Sequence, residues 1–515
     1  MVVVTSAYGS EGDILPMLAL ARECRLAAPA STRVVFLSNP RFEPPEARLD
    51  RRPGSLEFVG VGSREAYDAM LADSRDARRR TRRALARFWV SHLEEHFREL
   101  RVLTDGVVDK TVVVVTHPLD LAARCFDEWA ALSGKSSKIT CVTAALSPAM
   151  LRCDDVRAPV LTALFGEYIG LALSRHAPRL AWRLYDAAVD HVMRGVDAFR
   201  RERVFSRVGE DGLAAGPSPR PIASFKPARG VYRDWFVCRG GVLAMWPPWF
   251  GAPHPQWPCP TTQVGFPGAL ARREGEKDEN ALLTPFLEDA RDAGEDVWVF
   301  MVGSGNPPHA RAFFEAAVRA ASTARVRAVL LTRHADVVPG SVPDAAPAGE
   351  AARDTNARAP VLRAERCDLR ALFSHGACAG VVHGGGVGTT AVALACDVAQ
   401  IVVPSGFDQH DNARRARRLA AAGTCAEISV GAFCGKPTRV ARTMARTAKH
   451  RRERLANDAS FDATELASDA QSWGGARRAA AHVLASEFGR ARDGVGSHGT
   501  RLVSRNAAPE STPRL

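Results

Sequence analysis

The most informative part of the chain is residues 380–390, which read GVVHGGGVGTT. Val381 and Val382 end a short apolar run of the kind that forms a buried β-strand, and a helix-forming run follows Thr390. The glycines between these runs let the backbone approach a bound group closely. A helix that begins after such a turn presents free N–H groups and the positive end of its dipole, which attract phosphate. The segment therefore predicts a strand, turn and helix of an α/β fold, with a pyrophosphate site at the turn.

His383 stands at the end of the predicted strand, where its ring would donate a hydrogen bond to a phosphate oxygen. The segment lacks the Gly-Lys-Ser/Thr ending of a Walker loop and the G-x-G-x-x-G pattern of dinucleotide-binding folds. On spacing alone a structural explanation stays open, in which the glycines form an ordinary turn and His383 binds no ligand.

The same alternation of short β-branched runs and helix-length segments extends over most of the chain, which has 515 residues and is 46% hydrophobic. The runs fall into two series, at residues 2–5, 34–37, 112–116 and 139–144, and at residues 297–302, 326–331, 380–382 and 401–403. Such alternation is typical of βαβ units, and a chain of this length exceeds one ordinary core. The sequence therefore predicts an α/β protein with two domains, each built on a doubly wound parallel sheet.

Composition also predicts the domain boundaries. Residues 1–240 form the first domain and residues 271–460 the second. Residues 241–270 are dense in Pro and Trp and are expected to form a semi-rigid linker, because proline interrupts a strand ladder. Residues 461–488 contain a helix, and residues 489–515 are expected to be a disordered tail, since they hold too few apolar residues to offset the ordering entropy.

The chain carries a formal net charge of +12, which fits nucleic acid, a membrane surface or a small anion equally well. Arginine predominates over lysine along the whole chain, so the charge reflects composition, and nucleic acid is not expected as a partner. The arginine-rich segment at residues 75–87 leaves two interpretations open. It forms a solvated helix face, or it makes peripheral contact with anionic lipid headgroups.

The cysteine residues and the N-terminal segment indicate the cellular compartment in which the protein is expected. The eleven Cys residues include no C-x-x-C pair, and the first residues lack the charged and apolar regions of a secretory signal. The apolar run at residues 158–173 is too short to cross a bilayer. These features favour a cytoplasmic protein with reduced thiols.

A polar segment, SGFDQHDN, covers residues 405–412 and follows the strand-like run at residues 401–403. Asp408 and Gln409 are adjacent, and both side chains can make paired hydrogen bonds to the vicinal hydroxyls of a sugar. Because the carboxyl ends of parallel strands meet at one edge of a sheet, this pair is expected beside the pyrophosphate site. The alternative is that Asp408 or Asp411 only caps a helix.

A third segment, YGSEGDILP, covers residues 8–16 and follows the first strand-like run. Asp13 falls where the first strand–helix loop meets its helix, at the edge of an open sheet where ligands bind. A carboxylate in that place can act as a general base and take the proton of a hydroxyl group. On this segment alone, a helix cap is the favoured explanation of Asp13.

Taken together, these segments resemble the glycosyltransferases of GT-B fold in the sterol, macrolide and glycopeptide glycosyltransferase superfamily. Four motifs carry the resemblance: GS-x-GD-x-x-P at residues 9–16, WPPWF with VGFP at residues 246–267, H-x-GG-x-GT at residues 383–389, and FDQ-x-DNA at residues 407–413. They occur in the same order as in that superfamily, over about residues 2–450. The sequence is most similar to the bacterial rhamnosyltransferases that build rhamnolipids.

The resemblance implies an acceptor-binding first domain, a donor-binding second domain and a C-terminal helix that returns to the first domain. It implies that Asp13 is the catalytic base and that Asp408 and Gln409 hold the donor sugar. The residues it places on the donor diphosphate are Ser304, His383, Gly385, Gly386, Val387, Gly388 and Thr389. It implies no metal and no cofactor beyond the nucleotide sugar.

The sequence thus predicts an inverting, metal-independent hexosyltransferase that uses a UDP- or dTDP-sugar. Its acceptor is expected to be a lipophilic molecule with a hydroxyl group, such as a sterol, a hydroxy fatty acid or a polyketide. Apolar residues at 158–173 and 180–192 either line the acceptor pocket or belong to the core. The alternative function is a catalytically inactive nucleotide-sugar or lipid-binding protein of the same fold.

Overall fold

The computed structural model describes residues 1–49, 54–75, 90–105, 110–158, 162–205, 226–227, 235–268, 280–303, 307–344, 360–457 and 470–485. These residues form two parallel β-sheets, one of seven strands and one of six. Each sheet has helices packed on it, so the predicted α/β class with two doubly wound sheets is confirmed.

The first sheet has the strand order β3-β2-β1-β4-β5-β6-β7, and every pair is parallel. Its strands are β1 Val2–Ser6, β2 Arg33–Ser38, β3 Leu56–Gly60, β4 Val112–Thr116, β5 Ile139–Ala145, β6 Val242–Ala244 and β7 Thr261–Gln263. Alternate residues of β1 enter two different core clusters, Val2 and Val4 in one and Val3 in the other. Both faces of this sheet are therefore covered, as a parallel sheet requires.

Seven helices accompany the first sheet in the described part of the chain. They are α1 Glu11–Ala27, α2 Pro45–Leu49, α3 Arg64–Arg75, α4 Leu93–Asp105, α5 Leu121–Leu132, α6 Thr162–His176 and α7 Pro178–Phe199. Helix α1 packs on the face that includes Val3, whereas α4 and α5 pack on the opposite face. The strand order reverses at β1, which places the loops after β1 and β4 beside the crevice that such a reversal creates.

The second sheet has the order β10-β9-β8-β11-β12-β13 and is also parallel. Its strands are β8 Val297–Met301, β9 Arg327–Leu331, β10 Val361–Ala364, β11 Cys378–His383, β12 Ala399–Val402 and β13 Cys425–Glu427. The helices that follow in this half are α8 Thr284–Asp292, α9 Ala310–Ala324, α10 Leu369–Ser374, α11 Val387–Ala395, α12 Gln409–Leu419, α13 Val430–Gly435 and α14 Pro437–Ala456. The reversal lies between β8 and β11, so the glycine turn after β11 stands at the crevice.

The proline-rich residues 241–270 differ from the linker that composition predicts. They contain β6 and β7, which pair as the last two strands of the first sheet. The prolines fall outside these two strands of three residues, where a missing N–H group costs no ladder hydrogen bond. The segment is therefore part of the first sheet, and the change of sheet occurs after it.

Two short helices end the described chain, α15 Ala470–Trp473 and α16 Gly475–Leu484. Helix α16 packs against α1 through Ala479, Ala480 and Val483. The C-terminal segment thus returns to the first domain, as the resemblance implies. The predicted tail at residues 489–515 lies outside the described residues. No helix in the described ranges is long and apolar enough to cross a membrane.

Gly475 is a point of close backbone contact between the C-terminal segment and the first domain. Its N–H group donates to Phe266 O at 2.8 Å, and a Cβ atom at this position would overlap the carbonyl oxygens of Gly265 and Phe266. We expect Gly475→Ala to lower the free energy of unfolding by about 1–3 kcal/mol, because the backbone contact must open. Urea unfolding followed by circular dichroism measures the effect.

Gly431→Ala in α13 is the matched control, because no described atom outside the neighbouring helix backbone lies within 4 Å of a Cβ atom built there. This variant is expected to be as stable as the wild type or slightly more stable, since alanine favours a helix over glycine. Equal unfolding midpoints for the two variants would contradict the role of Gly475.

Candidate functional site

Asp13 lies at the carboxyl edge of the first sheet, in the first turn of α1. Its Oδ2 atom accepts hydrogen bonds from the Ser10 N–H group at 2.8 Å and from Ser10 Oγ at 2.9 Å. Gly9 is necessary for this arrangement, because a Cβ atom there would lie 2.6 Å from Asp13 Oδ2. One oxygen of Asp13 therefore does cap the helix, while the side chain keeps 21% of its surface exposed.

His117 lies next to Asp13, in the loop directly after β4. The distance from His117 Nε2 to Asp13 Oδ1 is 3.6 Å, and the His117 side chain is 0% exposed. Burial lowers the pKa of His117, although the charges of Asp13 and Asp120 oppose this shift. The ring is therefore neutral near pH 7.

A buried polar network supports this end of the first sheet. Ser6 Oγ donates to Asp120 Oδ2 and lies 2.8 Å from His96 Nε2. Asp120 also caps α5, because its Oδ1 accepts from the Ala123 N–H group at 3.1 Å. Since all three side chains of the network are buried, it orders the ends of β1 and β4 and does not itself meet a ligand.

The glycine turn after β11 leads into a helix with an open N-terminus. Gly386 is the N-cap residue of α11 and supplies no capping side chain, and the first turn contains no acidic residue. Apart from its chain neighbours and the backbone of α11 itself, no described atom lies within 4 Å of a Cβ atom built on Gly386 or Gly388. The start of α11 therefore has no side-chain cap and room beside its first glycines, which suits an anion.

His383 ends β11 with its ring buried inside the protein. Its Nδ1 accepts from the Gly385 N–H group at 3.1 Å, and its Nε2 lies 3.3 Å from Gln400 Oε1. Burial lowers the pKa of His383 to about 4, so the ring is neutral near pH 7. Both nitrogens contact protein groups and hold the glycine turn in place, and direct donation to a phosphate oxygen stays a prediction.

Asp408 lies at the start of α12, and no side-chain hydrogen bond from it caps that helix. Its Oδ2 accepts from Asn412 Nδ2 at 2.9 Å, and the same amide group donates to Gly385 O at 3.0 Å. Ser147, in the loop after β5, donates from Oγ to Asn412 Oδ1 at 3.3 Å. Asn412 thus connects Asp408, the glycine turn and the first domain.

Gln409 is held with its amide nitrogen towards the glycine turn. Its Oε1 accepts from the Ser405 N–H group at 2.8 Å and from Ser405 Oγ at 3.1 Å. Its Nε2 lies 3.8 Å from where a Cβ atom on Gly384 would stand. The structure therefore brings the predicted sugar-binding pair and the predicted phosphate-binding turn to one edge of the second sheet.

Asp411, the other candidate for a helix cap, has a different role. Its Oδ2 pairs with Arg415 Nε at 2.6 Å, and its Oδ1 accepts from the Arg157 N–H group at 3.2 Å. Asp155 of the first domain pairs with both Arg414 and Arg415. These ion pairs join α12 to the loop after β5 and hold the two domains against each other.

Asp13, at the edge of the first sheet, and Asp408, at the edge of the second, are near enough for their charges to interact. Burial raises the pKa of Asp408 to about 6, and the negative charge of Asp13 acts in the same direction, whereas the hydrogen bond from Asn412 opposes it. A second link across the cleft is the ion pair between Glu11 and Arg333. The predicted base and the predicted sugar-binding carboxylate therefore belong to one site.

Two of the predicted assignments concern residues outside the described part of the chain. Ser304 lies in residues 304–306, outside the part of the chain that the structure describes. The side chains of the arginine-rich segment at residues 75–87 are also outside it. Their assignments to the diphosphate and to a lipid surface stay predictions.

Phe407, which sequence reasoning did not single out as a site residue, has an unusual conformation. Its φ is +51°, and its side chain is 65% exposed. A left-handed backbone costs an L-residue with a side chain about 1–2 kcal/mol. Strain of this kind gathers at functional sites, and here it presents an apolar ring directly before Asp408.

Sequence reasoning also missed His117, Ser147 and Asn412. His117 follows the strand-like run at residues 112–116, so the rule that carboxyl ends of parallel strands meet at one edge could have found it. Asn412 belongs to the motif at residues 407–413 but was given no role of its own. Ser147 has no signal in the sequence, because its role depends on contact between the two domains.

Comparison with known proteins supports the fold. No protein-family model matches the chain, and no curated protein matches it in sequence. The chain is similar to the solved glycosyltransferase of kitacinnamycin, with 17% identity, a TM-score of 0.57 and coverage of 94% of this chain and 98% of that chain.

Two further solved structures are similar over nearly their whole length. Medicago truncatula UGT71G1, complexed with UDP-glucose, has 12% identity and a TM-score of 0.51, with coverage of 94% of this chain and 98% of that chain. The glycosyltransferase VinC in complex with dTDP has 16% identity and a TM-score of 0.50, with coverage of 95% and 100%. These likenesses show that the two facing sheets have the GT-B arrangement.

The raised pKa of Asp408 predicts a pH-dependent stability. Because the pKa in the folded state, about 6, exceeds the ordinary value of 3.8, the folded protein binds this proton more tightly than the unfolded chain. The contribution of Asp408 to the free energy of unfolding is therefore largest near pH 4 and is lost as the pH rises through 6. Relative to Asp408→Asn, the wild type should lose about 1–3 kcal/mol of stability between pH 4 and pH 7.

Urea unfolding of both proteins at several pH values between 4 and 7.5 measures this difference. Asp292→Asn is the control, because Asp292 is 71% exposed and lies at the end of α8. A constant difference between the wild type and Asp408→Asn across this range would show that Asp408 does not titrate there.

Proposed function

We propose that the chain is an inverting glycosyltransferase that moves a hexosyl group from a UDP- or dTDP-sugar to a hydroxyl group of a lipophilic small molecule. One observation carries the proposal: the cleft between the sheets brings together Asp13, the pair Asp408 and Gln409, and the open N-terminus of α11. The electrostatic effect of Asp13 on Asp408 supports their placement in one cleft. Each of these groups suits a different part of a nucleotide sugar and its acceptor.

In the proposed reaction, the oxygen of the acceptor hydroxyl forms a bond to the anomeric carbon of the donor sugar. The carboxylate of Asp13 takes the hydroxyl proton as this bond forms. The bond between the anomeric carbon and the diphosphate oxygen breaks, and its electron pair stays on the diphosphate. Attack from the face opposite to the leaving group inverts the configuration at the anomeric carbon.

The leaving diphosphate is proposed to bind at the start of α11. The N–H groups of Val387, Gly388 and Thr389 have no acceptor within the helix, and the helix dipole adds positive potential at the same point. This potential offsets the charge that develops on the diphosphate, so the proposed reaction needs no metal ion. Activity that persists in EDTA would be consistent with this part of the proposal.

The classes of donor and acceptor rest on resemblance and on the neighbours. The complexes of UGT71G1 with UDP-glucose and of VinC with dTDP support a donor whose base is a pyrimidine. For the acceptor, Ile169 and Leu180 are exposed apolar residues on α6 and α7, whereas Trp182 is buried in a core cluster. Helix α7 therefore contributes to the core, and the exposed apolar residues of α6 and α7 are proposed to contact a lipophilic acceptor.

The function is tested by transfer assays with a panel of UDP- and dTDP-sugars and pooled lipophilic acceptors. We expect the wild type to release nucleotide diphosphate, and Asp13→Asn to lower kcat about 10²–10⁴-fold, as loss of a general base does. The asparagine can still accept from Ser10, so the fold and the binding of donor should persist. Chromatography of the products measures transfer, and calorimetry measures donor binding.

Asp292→Asn serves again as the control for a change of one carboxylate. Donor binding without turnover by the wild type would favour the catalytically inactive binding protein. If no nucleotide sugar binds at all, the proposed site is wrong.

The variant Gly386→Asp tests whether the diphosphate binds at the start of α11. A carboxylate at the N-cap adds a capping group and raises helix stability by about a few tenths of a kcal/mol, but it also occupies the open N–H groups. The side chain meets no described atom, so the fold should be kept. We expect UDP or dTDP to bind at least about tenfold more weakly, as repulsion of the diphosphate requires. Calorimetry measures the affinity.

Gly386→Ala fills the same position without a charge and is expected to change the affinity much less. If both variants bind nucleotide diphosphate as tightly as the wild type does, the diphosphate does not lie at this helix.

A further inference from the structure

We propose that His117 is the positioning residue of Asp13, and that its Nε2–H group donates to Asp13 Oδ1 and holds the carboxylate towards the acceptor. This inference rests on the proposed function of Asp13 as the base. It concerns a residue that belongs to none of the sequence motifs and that lies in a different strand–helix loop from Asp13.

The hydrogen bonds of the His117 ring determine its tautomer. The Leu119 N–H group donates to His117 Nδ1 at 3.2 Å, so Nδ1 is an acceptor and carries no proton. A neutral imidazole has one N–H group, and it must therefore be on Nε2. Burial lowers the pKa of His117, which keeps the ring neutral. His117 thus presents a single donor, and Asp13 Oδ1 lies 3.6 Å from its nitrogen.

In the described part of the chain, the Nε2–H donor of His117 has no acceptor within hydrogen-bond distance. Nε2 is a buried atom without a hydrogen-bond partner in the described part of the chain, and the nearest acidic oxygen is Asp13 Oδ1 at 3.6 Å. A buried donor left without a partner costs about 1–3 kcal/mol. Both residues lie in the first domain, and an approach of the two side chains by a few tenths of an ångström would form the hydrogen bond and remove this cost.

The backbone hydrogen bonds of His117 keep its ring in place. The His117 N–H group donates to Ser6 O at 3.0 Å, and His117 O accepts from the Asp120 N–H group at 2.9 Å. Ser6 and Asp120 also belong to the buried network under the site. The backbone of His117 is therefore fixed on both sides, and the ring has little freedom to turn away from Asp13.

Together these contacts hold Asp13 by both oxygens. Ser10 occupies Oδ2 through two hydrogen bonds, and His117 faces Oδ1. Since the His117 side chain is 0% exposed, it cannot touch the acceptor itself. During transfer the proton of the acceptor hydroxyl goes to Asp13, and His117 keeps its own proton throughout.

Two variants separate the hydrogen bond from the packing of the ring. His117→Phe keeps a ring of similar size but removes the donor, and His117→Gln restores an N–H donor. We expect His117→Phe to lower kcat at least about tenfold with little change in the KM for donor, and His117→Gln to recover part of the loss. His375→Phe is the control, because His375 Nδ1 accepts from the Ala377 N–H group at the same 3.2 Å, far from Asp13.

A double-mutant cycle tests whether His117 acts through Asp13. In the Asp13→Asn protein, adding His117→Phe should change the remaining rate less than twofold, because the carboxylate that the histidine holds is already gone. Equal loss of rate with and without Asp13 would overturn the proposal and leave His117 a structural residue.

A further measurement does not depend on turnover. In protein labelled with ¹⁵N-histidine, the resonance that His117→Gln removes should show a protonated Nε2 and an unprotonated Nδ1, and its Nε2–H proton should shift in Asp13→Ala. A protonated Nδ1, or no response to Asp13→Ala, would refute the contact. If this test succeeds while no nucleotide sugar turns over, the proposed function fails and the pairing of His117 with Asp13 stands.

Discussion

The buried ion pair between Asp411 and Arg415 is the contact on which the geometry of the cleft depends. Both side chains are 1% exposed, and removing two charges from water is favourable only when every oxygen and N–H group finds a partner. The first domain supplies those partners, through the Arg157 N–H group, Asp155 and Phe250 O. The ion pair is therefore complete only when the two sheets face each other at one distance.

Helix α12 connects this ion pair to the candidate site. Asp408 and Asn412 lie within one turn of Asp411 on α12, so the contacts that join the domains also place the sugar-binding carboxylate opposite Asp13. Around them, the free protein carries several unfavourable features: the uncapped start of α11, the left-handed backbone of Phe407 and the unpaired Nε2 of His117. A bound anion would supply the missing partners of the N–H groups at the start of α11, and a small approach of Asp13 would supply the partner of His117 Nε2.

Much of the fold could be predicted from short stretches of sequence, since the β-branched runs and the glycine turn at residues 380–390 act locally. The sequence left two roles open for Asp13, catalytic base or helix cap. The structure shows the cap, because Oδ2 accepts from Ser10, and the role as base stays a proposal. The linker at residues 241–270 was harder to predict. Proline density excludes long strands, but it does not exclude the pairing of three residues at the edge of a sheet.

By itself, the sequence determined the two parallel sheets, the open helix at Gly386 and the carboxylates at the ends of β1 and β12, because strand and helix signals depend on neighbours in the chain. Only the tertiary structure decided that His117 stands behind Asp13, that Asn412 bridges to Ser147, and that His383 turns both nitrogens inward. These contacts join residues of different strands or domains. Their distances follow from how the sheets twist and dock, which no local pattern encodes.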